Sequence, residues 1–284
     1  MIINKTGIMM RTKISYSVTL TVAALLLFAG CSVLEDRTPC PCYLTLDWRR
    51  VKAADPSDGR DGAWECRVLV PEVAHDVRYS PFEAPDLEIV PVKKSAASVV
   101  AVFHDHPLKE ALEHGMRLEW PAGNQIDSVY AFKEDVDCTG EDAVCVLEPH
   151  KQFSTITFDD GLSGAELSRY NLVVRGTTDG FDASTFAAIE GEYLADVQER
   201  PGASADAFSV RIPRQTSPTL VLEFWTKDSK LRLFSSPVGA YLFAMGYDRD
   251  EADLRDYHIR VDFRQALMFI RIADWEDEYV YSLY

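Results

Sequence analysis

Apolar and polar residues alternate with a period of two along most of the chain, which places successive side chains on opposite faces of extended strands. The clearest windows are 42–48, 64–70, 87–92, 97–103, 128–132, 155–158, 171–175, 208–212, 220–225, 257–263 and 267–272. In the tenth, Tyr257, Ile259, Val261 and Phe263 share one face, and His258, Arg260 and Asp262 share the other. Helical periodicity is confined to short windows. Pro107 to His114 has Pro at its first turn and Gly115 just past its end, the usual asymmetry of helix termini. Asp182–Ile189 and Pro237–Met245 are two further helical windows. Many short strands with few helices predict an all-β chain of Greek-key β-sandwiches with a few short helices. A fresh strand-rich run begins after Glu148-Pro149-His150, so two tandem sandwich domains are expected, 40–149 and 150–284.

The N-terminal 30 residues follow another pattern. Arg11 and Lys13 precede an apolar run, Val22 to Phe28, that is shorter than the ~20 residues a bilayer-spanning helix needs. A basic start, a short apolar stretch and small residues at its end describe an export signal. Ala29-Gly30 leads straight into Cys31, as in a bacterial lipobox, although Phe28 stands where Leu is preferred. The expected arrangement is a signal peptide at 1–30, a lipidated tether at 31–39 with Cys31 as the acylated residue, and then the sandwiches. Glu35-Asp36, soon after Cys31, fits an acidic surface-export signal, so an outer-membrane, surface-facing location is favoured over the periplasmic side.

Removal of the signal takes away Lys5, Arg11 and Lys13 and no acid, so the formal charge falls by three, from −16 to −19. A surface that acidic repels nucleic acid and anionic headgroups, which excludes both as partners. Attachment to a membrane must then come from acyl chains, at ~0.8 kcal/mol per buried methylene.

Export also opens the chain to disulfide chemistry. With Cys31 acylated, five of the six cysteines remain: Cys40, Cys42, Cys66, Cys138 and Cys145. Cys42 alternates in phase with Leu44, Leu46 and Trp48, and Cys66 with Trp64, Val68 and Val70. Both therefore point to a core, and Cys42–Cys66 across neighbouring strands is one candidate bridge, with Cys40 competing or left free. Cys138 and Cys145 flank a hairpin-like T-G-E-D-A-V and form a second candidate pair. Zinc is the alternative, but C-P-C puts a single residue between its sulfurs and no second close pair answers it.

Signs of catalysis are thin. His104 and His106 bracket Asp105, and with His114 they could hold a metal for a hydrolase. Capping of the helix at Pro107 by Asp105 or His106 explains the same residues. Asp248, Asp250, Glu251 and Asp253 lack the glycine of a calcium loop. No nucleophile elbow, zincin or phosphate-loop motif occurs, and neither enzymatic activity nor a metal or cofactor is expected. The five tryptophans, Trp48, Trp64, Trp120, Trp225 and Trp275, keep a glycan-binding surface lipoprotein as the alternative function.

Several segments carry a resemblance. After the lipobox come E-D-R-T-P-C-P-C-Y-L-T-L-D-W, then D-S-V-Y-A-F (127–132), Y-N-L-V-V-R-G (170–176) and F-S-V-R-I-P-R-Q (208–215). P-V-G-A-Y-L-F-A-M-G-Y-D, L-R-D-Y-H-I-R-V-D-F and I-R-I-A-D-W-E close the chain. In this order they resemble the FimB-type anchor and accessory subunits of the type V fimbriae of Bacteroidales. The resemblance implies two transthyretin-like sandwiches, an outer-membrane lipoprotein, fimbrillin subunits as partners, and a role in holding or limiting a fimbria at its base. Stalk subunits of such fimbriae are joined by strand exchange after cleavage at an Arg. Arg60 lies in a suitable loop, although an anchor need not be cut. The apolar end Tyr279, Tyr281 and Leu283 is a candidate exchange strand, or completes the chain's own second sandwich.

Overall fold

The computed structural model describes residues 40–53, 65–79, 83–104, 116–120, 122–123, 125–158, 170–199, 208–262 and 265–282. Contacts divide the chain into 1–40 and 41–284, and the folded body is the second of these. Its architecture is the expected all-β sandwich.

The first half supplies β1 (Cys42–Asp47), β2 (Glu65–Val70), β3 (His75–Tyr79), β4 (Leu87–Val92), β5 (Ala96–His104), β6 (Arg117–Glu119), β7 (Val129–Asp137), β8 (Asp142–Val146) and β9 (His150–Lys151). A three-stranded sheet has the order β4-β1-β8, and a five-stranded sheet the order β3-β2-β5-β7-β9. In the smaller sheet β1 runs antiparallel to β4 and parallel to β8. Between the two sheets lies the first core, with Cys42, Leu44, Leu46 and Trp48 meeting Cys66, Val68, Val99, Ala101 and Phe103. A short helix, α1 (Arg49–Ala53), follows β1 and buries Val51 in this core.

The second half supplies β10 (Phe153–Phe158), β11 (Tyr170–Asp182), β12 (Ala187–Asp196), β13 (Gln198–Glu199), β14 (Phe208–Pro213), β15 (Val221–Thr226), β16 (Arg232–Ser236), β17 (Tyr257–Asp262), β18 (Leu267–Ile272) and β19 (Tyr279–Ser282). One sheet runs β12-β11-β15-β16, with β6 added against the far end of β11, and the other runs β13-β14-β10-β17-β18-β19. Met116, Leu118, Trp120 and Ile126 stand before the expected junction at 149/150 yet pack in the second core.

β5 explains how the halves are joined. Ala97, Val99, Ala101 and Phe103 face the first core, whereas Val100 and Val102 face the second. On the neighbouring strand, Val129 and Ala131 belong to the second core and Phe132 and Val136 to the first. A strand covered on both faces reads as a continuous apolar run, as V-V-A-V-F does. The halves thus share a wall, and the connection between them is short: β9 pairs with β7, and β10 begins after the single residue Gln152.

Of the helical windows, Pro237–Met245 contains α2 (Val238–Ala244). Asp182–Ile189 is instead the hairpin between β11 and β12. The Asp182 carboxylate accepts from the Ser184 backbone and hydroxyl at 2.9 and 2.6 Å, an Asx turn that outcompetes helix. The Pro107–His114 window lies outside the described residues.

Candidate subunit-contact surfaces

Three positions in the fold bear on function: the cysteine cluster at the start of β1, the outer face of the small sheet, and the β19 edge. Cys31 and Leu283 lie outside the described residues, as do Trp64, Arg60, His106 and His114.

Cys42 opens β1, and its side chain is fully buried. Cys66, Cys138 and Cys145 are fully buried in the same core, whereas Cys40 is exposed. Neither expected pair occupies the expected geometry. Cys42 and Cys66 lie on strands of opposite sheets, not on neighbouring strands. Cys138 and Cys145 do not face one another across a hairpin, because β7 and β8 also belong to opposite sheets. The thiol nearest in influence to Cys138 is that of Cys42. The Cys145 sulfur instead contacts the Glu134 carboxylate at 3.4 Å. Burial pushes the Cys138 thiol up to about 11, and burial followed by the Glu134 charge pushes Cys145 higher still. Burial likewise raises Cys66, with Glu88 adding to it. Thiols whose pKa burial raises, as in Cys66, Cys138 and Cys145, are poor nucleophiles and poor metal ligands.

The outer face of the small sheet is unusually bare. Thr45 on β1 stands between Ile89 on β4 and Val144 on β8, which are 64% and 62% exposed. Tyr43 beside Pro91, and Leu87 at the end of β4, extend this exposed apolar row. A patch of several apolar side chains on one solvent-facing sheet marks a contact surface. The sequence signal was present in L-E-I-V-P-V, which is apolar on both faces although only Val90 and Val92 are buried.

The large sheet of the second half is protected differently. On its outer face Arg260 lies over the Phe269 ring at 3.7 Å and reaches Glu278 at 3.1 Å. β19 is the last strand of this sheet. Tyr279 and Tyr281 pack toward the second core, and Tyr281 stacks on Tyr241 with centroids 3.9 Å apart. The candidate exchange strand is therefore placed in its own chain's sheet, and among the described residues no strand lies beyond it.

The enzyme-like residues are occupied otherwise. His104 is buried, with Nε2 3.6 Å from Asp127. Asp253 accepts from the Lys151 backbone at 2.6 Å and contacts His150, so this acid fastens the connection between the halves. Among the described residues no group of three or more His, Cys, Asp or Glu is arranged to hold a metal. Trp48 and Trp120 are buried and Trp225 and Trp275 half-buried, so no described tryptophan is fully exposed. Nor is any described helix long and apolar enough to cross a membrane.

No family model and no curated protein matches the chain. Solved structures do match in fold. A Bacteroides thetaiotaomicron candidate polysaccharide-binding protein of the DUF1812 group aligns over 86% of this chain and 98% of its own, at 11% identity and a TM-score of 0.53. A candidate adhesin from the same organism aligns over 88% and 100%, at 12% identity and 0.52. The fimbrial anchor protein Mfa2 of Porphyromonas gingivalis aligns over 86% and 100%, at 10% identity and 0.52. This chain has their fold, from end to end of each.

Proposed function

We propose that this chain is a non-catalytic lipoprotein of the bacterial outer membrane that serves as an anchor or accessory subunit of a fimbria. The observation that carries this proposal is the correspondence of its fold with a fimbrial anchor over 86% of this chain and 100% of the other. Three other features support it. Cys31 stands eleven residues ahead of β1, so an acyl chain there attaches to the first sandwich through a short tether. The shared wall of β5 and β7 makes the two sandwiches one rigid load path. The β19 edge and the bare face around Ile89 and Val144 offer contact surfaces to fimbrillin subunits, the first by adding a strand to a sheet.

Metabolic labelling with an alkyne fatty acid should mark the chain, and Cys31→Ala should abolish the label. Deletion should release fimbriae from cells, and the purified chain should capture fimbrillin. A monomeric chain that captures none, with normally attached fimbriae on the deletion strain, would refute the anchoring role. A glycan-binding role has less support because Trp48 and Trp120 are buried and Trp225 and Trp275 only partly exposed; a glycan array tests it directly.

A further inference from the structure

The start of β1 is bound to the turn that joins β7 to β8. The Tyr43 backbone N–H donates to the Glu141 carbonyl at 2.8 Å, and Tyr43 is in register with Asp142. Cys138 stands three residues before Glu141, its own N–H held by the Ser95 carbonyl at 3.1 Å. This turn lies against the start of β1 and brings Cys138 beside Cys42, both fully buried in the first core. Of the other two thiols, Cys145 contacts the Glu134 carboxylate at 3.4 Å and lies within electrostatic reach of Cys138 as well, and Cys66 lies near Glu88.

We propose that Cys42 and Cys138 form a disulfide in the exported protein, a clamp that ties the first residue of β1 to the end of β7 across the first core. The bond rests on the exported-lipoprotein reading for its oxidising surroundings, and its mechanical role rests on the lipid anchor of that reading. The chemistry is thiol–disulfide exchange with an exported protein disulfide. One cysteine thiolate attacks a sulfur of that disulfide, the second displaces the mixed linkage, and the two protons and two electrons leave in the carrier's reduced dithiol. Both thiols are fully buried in the folded chain, so the bond forms while the core is still open and is shielded afterwards.

The position of the bond gives it a mechanical role. A pull on the lipid-bearing N-terminus reaches the fold at Cys42. Without the bond the load falls on the ladders of β1 with β4 and β8. With it, the load passes to β7, whose Val129 and Ala131 are packed in the second core. The small sheet is then bypassed, and the roughly 95 residues between the two cysteines cannot be drawn out.

Peptide mapping under non-reducing conditions tests the pairing, on the full chain recovered from membranes and on full chain refolded in a glutathione redox buffer. The expected result is a Cys42–Cys138 linked peptide with Cys66 and Cys145 alkylated. Linkage of Cys42 to Cys66 or of Cys138 to Cys145, or alkylation of all four cysteines in the refolded chain, overturns the proposal. A chain that pairs on refolding yet carries no lipid in cells leaves the clamp standing and removes the anchor role. A lipidated chain from membranes with both thiols free does the reverse.

Pulling single molecules by their termini gives a second, independent reading. Reduction should lengthen the fully unfolded chain by roughly 330 Å, at ~3.3–3.6 Å per residue. A gain of less than about 100 Å would point to one of the short-range pairs and sink the clamp. Cys42→Ser and Cys138→Ser should each lower the melting temperature by several degrees, and the double variant by no more than either. If either variant fails to export, the mapping of the unsubstituted chain still decides.

Discussion

The two cores of this protein are built from different materials. The first is closed by a three-stranded sheet and holds four buried cysteines; the second is closed by two larger sheets and holds none. In the second, bulky aromatics take that place, with Phe158, Tyr193, Phe224 and Tyr257 buried almost completely. A small core gains little from apolar burial alone and profits most from a covalent tie. The larger core has area to spare, and even accommodates buried tyrosine hydroxyls. Tyr193 donates to the Arg211 carbonyl at 2.7 Å, and Tyr247 shares a bond with Ser154 at 3.0 Å.

Because the cores share the β5–β7 wall, the sharpest way to break the contrast is to damage the wall itself. Val102 is fully buried on the second core's side, opposite Ala131. Val102→Asp would place an unpaired carboxylate there, at a cost of about 4 kcal/mol or more. Both halves should melt together and early in calorimetry. If only the aromatic half is destabilised and the cysteine-bearing half melts as before, the wall does not couple them.

Arg214, just past β14, comes next. Its guanidinium donates to the carbonyls of Arg249, Glu251 and Ala252 and to the Gln152 side chain, so one cation gathers the 249–252 loop onto the link between the halves. Burial pulls its pKa down, although the acids Asp248, Asp250 and Asp253 oppose that. Arg214→Met should cost about 2–4 kcal/mol, since several carbonyls lose a charged donor together. In urea titrations it should move the midpoint of the whole transition rather than split it.

The legibility of these features in the sequence differed by physical cause. Strands with one buried face announced themselves: Leu87–Val92 and Leu267–Ile272 lie where alternation puts them. Others were hidden by composition. β3 reads H-D-V-R-Y and β16 reads R-L-F-S-S, half-exposed edge strands that pair only with the strand just before them and carry too few apolar residues to show alternation. The Asp182 turn was lost because A-S-T-F-A-A-I carries helical spacing, and only the side-chain bonds of Asp182 reveal the hairpin. For the cysteines, alternation correctly placed Cys42 and Cys66 in a core but could not say which sheet faces which. Partner choice across a sandwich is a tertiary property. The bare outer face was legible in L-E-I-V-P-V only once its sheet was known to lie open on that side.

A smaller effect of opposite sign comes from Tyr257. Its hydroxyl is buried in the second core without a hydrogen-bond partner, and burial raises its pKa well above the ordinary value. An unpaired buried hydroxyl costs free energy that Phe avoids. Tyr257→Phe should therefore stabilise the chain by about 1 kcal/mol, visible as a higher melting temperature. A loss of stability would mean that the hydroxyl is satisfied in solution, by a water for instance, and that the aromatic core is tuned more closely than its polar atoms suggest.

The smallest effect belongs to the first core and depends on pH. Asp47, the last residue of β1, accepts from the Arg49 guanidinium at 2.6 to 3.2 Å and from the Arg49 backbone at 3.0 Å. These bonds lower its pKa to about 2, the side-chain bond most of all, against the opposing effect of burial. The folded state thus holds the carboxylate more tightly ionised than the unfolded chain does. The resulting stability is fully present above about pH 4 and is lost as the pH falls through the folded value near 2. Asp47→Asn should flatten that part of the acid limb and leave stability near neutrality only slightly lower, since Asn can still accept from the Arg49 backbone. An unchanged acid limb in the variant would place the acid sensitivity outside the Asp47–Arg49 pair. The contrast between a tied small core and a self-sufficient large one would then have to include which of them yields first to acid.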